Sequence, residues 1–372
     1  MQAPEAIAQR IERRLAELDA QGLRRKLKPP SGIDLSSNDY LGLARDPRVA
    51  KAMSDAALRE GAGSTGSRLL RGERDCFRQI EERFAQFKDA ERSLYFSSGY
   101  LANLAVLTTV AEEGDVIFSD SLNHASLIDG ARLSKASRAI FPHNDVDALR
   151  RMLDETPAGA AKFVVVESIF SMDGDEAPLT EYAQLCRDRG ASLIVDEAHA
   201  IGIYGKRGSG LMEATGITDQ VLVSINTAGK ALGVSGAFVA GDGNTIEYLL
   251  QRARPFIFST AAVPSVAAAI DTALDIVEQE PDRRARLLVL ARRLRHHLRM
   301  PGDSQIVPVH IGENQRAVAV AEKLQAEGFD VRAVRPPTVP AGTARLRVSI
   351  NEGLSEAIID QFADSLEKAL SS

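Results

Sequence analysis

Two stretches decide the reading: Leu193-Ile-Val-Asp196-Glu-Ala-His199 and, about thirty residues on, Ser224-Ile-Asn-Thr-Ala-Gly-Lys230-Ala-Leu-Gly233. In the first, an apolar run ends in Asp196, and His199 follows. In the second, Thr227 and several small residues surround Lys230. A strand apolar on both faces belongs in a parallel sheet buried between helix layers, where ligands sit at the carboxyl ends of the strands. Pyridoxal 5'-phosphate chemistry needs this set of groups. A Lys amine forms an imine, a carboxylate keeps the pyridine nitrogen protonated, and hydroxyls hold the phosphate.

Plainer readings stand beside these. Lys230 could be an ordinary surface lysine; Gly229, Ala231 and Gly233 instead leave room for a planar ligand. Asp196 closes an apolar run, so its carboxylate calls for a cationic partner, which a pyridinium N–H provides. His199 would then bond the ring's phenolic oxygen or steer the Asp. The string Asp196-Glu197-Ala198-His199 also matches the DEAH box of nucleic-acid ATPases. That reading requires a G-x-x-x-x-G-K-[ST] phosphate loop, and the chain has none.

Outward from there, strand-like runs alternate with helical ones. The strands are Ser93–Phe96, Asp115–Ser119, Phe163–Glu167, Ser192–Asp196, Val221–Ile225 and Ala237–Ala240, and the helices include 47–59 and 73–88. The expected fold class is α/β, a mostly parallel sheet between helix layers. Residues 4–20 carry a helical apolar spacing from Pro4 to Leu18, and Ile33–Ser36 reads as a short strand. Residues 263–298 are helical with a break at Glu280-Pro281. Strands Gln305–Ile311, Val331–Val334 and Arg345–Ile350 and helices 314–327 and 355–370 make an α+β unit. The expected domains are an N-terminal helix and arm (1–45), a large domain (46–262) and a smaller C-terminal α+β domain (263–372).

Composition narrows the class. The chain has 372 residues, 44% hydrophobic and 26% charged, with net charge −6, so no polyanion partner is implied. Cys76 and Cys186 form no C-x-x-C, which argues against a disulfide framework or thiolate metal site and fits a reducing cytoplasm. No apolar run reaches the roughly 18 residues of a membrane span, and the N-terminus does not read as a signal peptide.

Further motifs face the same strand ends. Ser98-Gly99-Tyr100 sits at a strand-to-helix turn, where free N–H groups and the helix dipole suit a phosphate. Gly61-Ala-Gly-Ser-Thr-Gly-Ser-Arg68, with Leu69, Leu70 and Arg71, reads as a structured substrate or subunit-contact loop rather than a flexible linker. His124, in Asn123-His-Ala-Ser126, could stack on a cofactor ring or simply cap a helix. Ser171, in Ser171-Met-Asp-Gly174, could donate to a cofactor or close a turn. Arg345 and Arg347 were expected to alternate along their strand, so that one faces inward and binds either a substrate carboxylate or a carboxylate of the large domain.

Jointly, Ser37-Asn-Asp-Tyr-Leu-Gly-Leu43, Gly63-Ser-Thr-Gly-Ser-Arg68, Asn123-His-Ala-Ser126, Ser168-Ile-Phe-Ser-Met-Asp-Gly174, Asp196-Glu-Ala-His199 and Gly229-Lys230 resemble the α-oxoamine synthases. These are fold-type I pyridoxal-phosphate enzymes that join an amino acid to an acyl thioester with loss of CO₂. The string Arg335-Pro-Pro-Thr-Val-Pro-Ala-Gly-Thr-Ala-Arg-Leu-Arg347 is similar to that of members condensing L-alanine with a pimeloyl thioester, carried on CoA or acyl carrier protein. Glycine-using members are the alternative, one methyl group apart. The resemblance implies Lys230 as imine lysine and general base, Asp196 on the pyridine nitrogen, His199 on the ring oxygen and His124 stacked on the ring. It implies Ser98, Gly99, Tyr100 and Thr227 at the phosphate end and Ser171 close to the ring. Asn38, His124 and Arg347 would meet substrate, with Arg24 and Thr338 in an acyl tunnel. No metal is implied, and a C₂ homodimer with shared active sites is. Two departures stand out: Ala200 where the family usually has Gly, expected to tighten the turn below the ring, and Ala228 where many members have a larger residue, expected to open space beside Lys230.

Overall fold

The computed structural model describes residues 6–157 and 159–371, so Pro4, expected in the first helix, lies outside them. Among the described residues, no helix is long and apolar enough to cross a membrane. The chain forms two compact units, one of residues 38–171 and 175–287, the other of residues up to Ser37, 172–174 and from Leu288 onward. These boundaries differ from 1–45, 46–262 and 263–372. Residues 263–287 cluster in the larger unit because the helix Ser265–Gln279 packs on the helices Pro47–Glu60 and Asp75–Lys88.

The larger unit is built on a seven-stranded sheet. Its strands are β1 (Arg92–Phe96), β2 (Val116–Asp120), β3 (Ser137–Phe141), β4 (Lys162–Glu167), β5 (Ser192–Asp196), β6 (Val223–Thr227) and β7 (Ala237–Gly241), in the spatial order β1-β7-β6-β5-β4-β2-β3. From β6 to β3 all neighbours are parallel. Strand β7 runs antiparallel to both β6 and β1, so the sheet is mostly parallel, as expected, with β7 its antiparallel member. The reason lies in the short connection 228–236: a parallel crossover needs a dozen or more residues, a hairpin does not. Strand β3 was not anticipated. It is an edge strand with only Phe141 of its five residues buried, so it lacks the apolar run that marks the interior strands.

The core follows from that patterning. Leu94, Ile117, Val165, Ile194, Ile225 and Val239 are buried in the sheet, joined by Ala102, Ala105, Val106 and Leu107 of the helix Gly99–Val110. That helix is apolar on almost every side, as a helix enclosed by its neighbours must be. Each buried Val, Ile or Leu contributes about 1.5–3 kcal/mol, which fixes the strand ends on which the site is mounted.

The smaller unit holds an antiparallel three-stranded sheet of Ala333–Val334, Ala344–Ser349 and Ile306–Gly312, with helices Asn314–Ala326 and Glu356–Ser371. The N-terminal stretch joins it, since Ile33–Asp34 pairs in parallel with Phe329–Asp330. The first helix, Ile7–Ala20, buries none of its residues.

Candidate active site

Five strand ends of the larger unit converge on one cavity of about 400 Å³. Its lining includes Ser98, Gly99 and Tyr100 after β1, His124 and Ser126 after β2, Glu167 at the end of β4, Asp196 at the end of β5, Thr227 at the end of β6 and Lys230 after it. Because β7 is antiparallel, its preceding residues Val234, Ser235 and Gly236 reach the same end of the sheet. The turn bearing Lys230 is held by Ala228 N–H to Gly236 O (2.9 Å) and Gly233 N–H to Lys230 O (2.8 Å). Gly233 has φ +67° and a Cβ there would stand 2.3 Å from Ala44 N, so only glycine closes this turn.

Asp196 is 5% exposed. Its Oδ1 accepts from Ala198 N (2.9 Å) and its Oδ2 from Asn103 Nδ2 (2.7 Å). Asn103 Nδ2 also donates to Ser126 Oγ (2.8 Å), and Ser126 Oγ lies 2.7 Å from His124 Nδ1. One hydrogen-bonded chain thus joins the carboxylate to the imidazole across the cavity floor. Burial and Lys230 both hold His124 below the ordinary histidine pKa, with Asp196 opposing them, which favours a neutral ring.

His199 is buried, with Nε2 2.8 Å from Lys230 Nζ and Nδ1 2.7 Å from Tyr40 Oη. Tyr40 Oη donates to Asn38 Oδ1 at 2.9 Å. With the Tyr40 hydrogen on Asn38, Tyr40 Oη is left to accept from His199 Nδ1–H, and a neutral ring then offers Nε2 to Lys230 Nζ. Glu167 pairs with Asp196 on the adjacent strand. Burial, and secondarily Asp196, pushes its pKa up to about 8. Its Oε2 accepts from Ser171 N at 3.2 Å. Its Oε1, like Asn103 Oδ1, is buried and meets no donor among the described residues.

The N-terminus of the helix Gly99–Val110 opens on the cavity, capped by Ser98 Oγ accepting from Leu101 N (3.2 Å). A Cβ at Gly99 would stand 2.5 Å from Thr227 Cγ2, so this glycine lets the turn after β1 meet β6. Behind the cavity, Lys88 and Glu197 form a buried ion pair, 2% and 0% exposed, that anchors the turn following Asp196. Ala200 is fully buried in that turn, its N–H on Glu197 O at 2.9 Å, and Ala228 is fully buried beside Lys230.

Lys230, Asp196, His124, Ser98, Gly99, Tyr100 and Thr227 therefore line one cavity. His199 reaches it through its bond to Lys230, and Ser171 through its backbone bond to Glu167. Tyr100 Oη is engaged by Asp129. Arg68 pairs with Glu73 and Glu81 and lies over the rings of Phe77 and Phe256. Its neighbours Leu69 and Leu70 are exposed. In the smaller unit, Arg24 folds onto Asp19 (2.6 Å), and it is Arg25 that donates to Thr338 Oγ1 (3.3 Å). The expected alternation of Arg345 and Arg347 fails, because residues two apart on a strand share a face. Both are buried, Arg345 against Asp173 and Arg347 with Nη1 on Ser349 Oγ (2.7 Å).

Asn103, Ser126, Glu167 and Tyr40 were not singled out from the sequence. A lone Asn in the apolar helix Gly99–Val110 was the available signal for Asn103; Glu167 differs from an ordinary strand-end acid only by its neighbour across the sheet.

The pattern that describes class I and II aminotransferases matches residues 30–366. The chain belongs to the class I and II aminotransferase family. Within this family, the chain is 47% identical to 8-amino-7-oxononanoate synthase of Anaeromyxobacter dehalogenans, covering 96% of this chain and 94% of the relative. Among solved structures, it resembles serine palmitoyltransferase from S. paucimobilis with PLP–myriocin aldimine bound (31% identity, 98% of each chain, TM-score 0.91). It also resembles 8-amino-7-oxononanoate synthase from Francisella tularensis (30% identity, 92% of this chain and 98% of the other, TM-score 0.79). The fold is that of the type I PLP-dependent transferases, as this family's α/β sheet requires.

Proposed function

We propose that the chain is an 8-amino-7-oxononanoate synthase of biotin biosynthesis. It condenses L-alanine with a pimeloyl thioester, releasing CO₂ and the free thiol. One observation supports it above the rest: an amine (Lys230), a buried carboxylate (Asp196), an imidazole (His124) and a helix N-terminus (Ser98–Tyr100) line a single cavity. The relatives named for this activity supply the choice of substrates.

The residues fit pyridoxal phosphate. Asp196 is a buried acceptor facing the cavity, which suits a pyridinium N–H. The buried, donor-less oxygens Glu167 Oε1 and Asn103 Oδ1 mark a floor built for a polar occupant. The helix N-terminus at Ser98–Tyr100, with Thr227 against it, suits a phosphate. Bound there, the cofactor supplies an electron sink for carbanion chemistry at an amino acid's Cα.

The chain's own groups do the rest. Asp196 would hold the cofactor's ring nitrogen in its protonated form, and Asn103 and Ala198 N–H hold that carboxylate in place. His124, tied to Ser126, offers its ring face. Lys230 Nζ takes the Cα proton of L-alanine, and His199 Nε2, 2.8 Å away, orients the amine. His199 is itself fixed through Tyr40 and Asn38. Arg347 holds a substrate carboxylate, and Thr338 with Arg24 or Arg25 meets the acyl substrate, a reading that the Arg25–Thr338 hydrogen bond supports for Arg25. We read the assembly as a cytoplasmic C₂ homodimer.

The test is a visible absorption titration of the protein with pyridoxal phosphate, then with L-alanine, glycine and L-serine. A yellow protein that responds to L-alanine at the lowest concentration, and forms 8-amino-7-oxononanoate from L-alanine and pimeloyl-CoA by mass spectrometry, is expected. Selection among these amino acids rests on single small groups, worth about 1–3 kcal/mol. A protein that stays colourless ends the cofactor reading; one that answers only to glycine moves it to the glycine-using activities.

A further inference from the structure

His143 has no part in the chemistry above, yet it stands between the two loops that build the cavity's floor. Its Nδ1 is 3.0 Å from Asp120 Oδ1 and its Nε2 is 2.6 Å from Asp175 Oδ2. Asp120, with a fully buried side chain, ends β2 four residues before His124. It also accepts from Leu122 N (2.8 Å) and Asn144 N (2.9 Å). Asn123, next to His124, spans to the neighbouring strand by donating to Val165 O at 2.7 Å.

On the other side, Asp175 closes the segment that follows β4. Phe170 N donates to Asp175 O (3.0 Å), and Ile169 bridges to Glu176. Within that segment Ser171 N donates to Glu167, whose carboxyl lines the cavity. The His143 ring meets Phe170 edge-on, 4.4 Å between centroids at 89°. Asn144, in a left-handed conformation (φ +55°), doubles the link, its Nδ2 donating to Asp175 Oδ2 (3.0 Å) and Glu176 O (3.3 Å).

We propose that His143 is a positioning residue: as an imidazolium donating to Asp120 and Asp175 at once, it locks together the loops that present His124 and Glu167 to the cofactor. This rests on the cofactor reading given above. A ring flanked by two acceptors satisfies both only when both its nitrogens carry hydrogen. Burial works against that charge, but the hydrogen bonds to Asp120 and Asp175 outweigh it and lift the pKa to about 10. Charge-assisted bonds of this kind are about twice as strong as neutral ones and set geometry as well as energy. A glutamine in the same place can donate to one carboxylate only and turns an oxygen toward the other.

The test uses the full chain, stripped of cofactor, as wild type, His143→Gln, Asp175→Asn and the double variant. Two quantities are read: the dissociation constant for pyridoxal phosphate, and the circular dichroism of the bound chromophore, which reports how rigidly its surroundings are arranged. His143→Gln should weaken binding roughly tenfold, the scale of a supporting residue behind a ligand site, and reduce the dichroism. Asp175→Asn should do likewise, and the double variant should be no worse than His143→Gln, since both remove one link. Should His143→Gln prove insoluble, Asp175→Asn, whose side chain is 42% exposed, carries the test alone. Wild-type affinity and dichroism in the variants, whatever their melting temperatures, overturn the proposal, as do strictly additive losses. If the wild type itself fails to bind, the function reading has failed instead.

Discussion

Removing the cation from the buried ion pair behind the site should cost the protein much of its stability. Lys88 Nζ meets Glu197 and Ser209 O, with Lys88 2% exposed and Glu197 not at all. Glu197 Oε1 also accepts from Met212 N at 3.0 Å. A Cβ at Gly210 would lie 2.3 Å from Glu197 Oε2, so no water fits on that side. In Lys88→Met the carboxylate stays buried after its countercharge has gone. Breaking such a pair from one side costs about 3–5 kcal/mol, a large part of the roughly 5–15 kcal/mol that holds a folded chain. At about 2–4 °C per kcal/mol for a unit of this size, the melting temperature should fall by roughly 10 °C. Scanning calorimetry on wild type, Lys88→Met and Lys88→Met/Glu197→Met measures it. The double variant should recover most of the loss, because an apolar pair of similar volume is often neutral in such places. What remains is the orphaned Met212 N–H, worth about 1–3 kcal/mol. A Lys88→Met protein melting with the wild type, or a double variant no better than the single, refutes this reasoning.

Asp196→Ala should lower condensation by about 10²–10³-fold or more, the scale of losing a preorganised charge in an active site, while the protein still turns yellow with pyridoxal phosphate; unchanged turnover in a coupled thiol-release assay would overturn the role given to Asp196. Gly99→Ala should weaken cofactor binding at least tenfold by fluorescence titration, because the added Cβ meets Thr227 Cγ2 at 2.5 Å and pushes the phosphate turn off β6. Glu167, raised from 4.5 to about 8 by burial first and Asp196 second, favours the protonated form in the folded cofactor-free protein. Its contribution is therefore complete below pH 4.5 and lost as pH rises through about 8. Glu167→Gln should match the wild type in thermal stability near pH 4, gain on it as pH rises above 4.5 and exceed it most above about pH 8; parallel stability curves for the two proteins would show that Glu167 does not titrate there.

The sequence alone carried the elements whose signal is local. Leu193–Asp196 is a strand because three apolar residues run to a charge, and Ser98 opens a helix because its hydroxyl caps the free N–H groups of the turn; both stand in the fold as read. Lys230, Asp196 and His124 were legible for the same reason, each being a reactive side chain at a strand end. The mostly parallel sheet was legible too; which strand runs antiparallel was not specified, although the short connection 228–236 carries that signal. Other features exist only once distant segments meet. Phe329–Asp330 becomes a strand by pairing with Ile33–Asp34, and Arg68 is held by Glu73, Glu81 and two aromatic rings. The proton on Glu167 depends on the register that sets it beside Asp196. His143 becomes a brace because β2 and the segment after β4 bring two carboxylates to its two nitrogens. Periodicity and residue type report what each side chain prefers; which charge lies within 3 Å of it is a property of the packed chain, since electrostatic and hydrogen-bond energies fall off within a few ångström and ignore sequence distance.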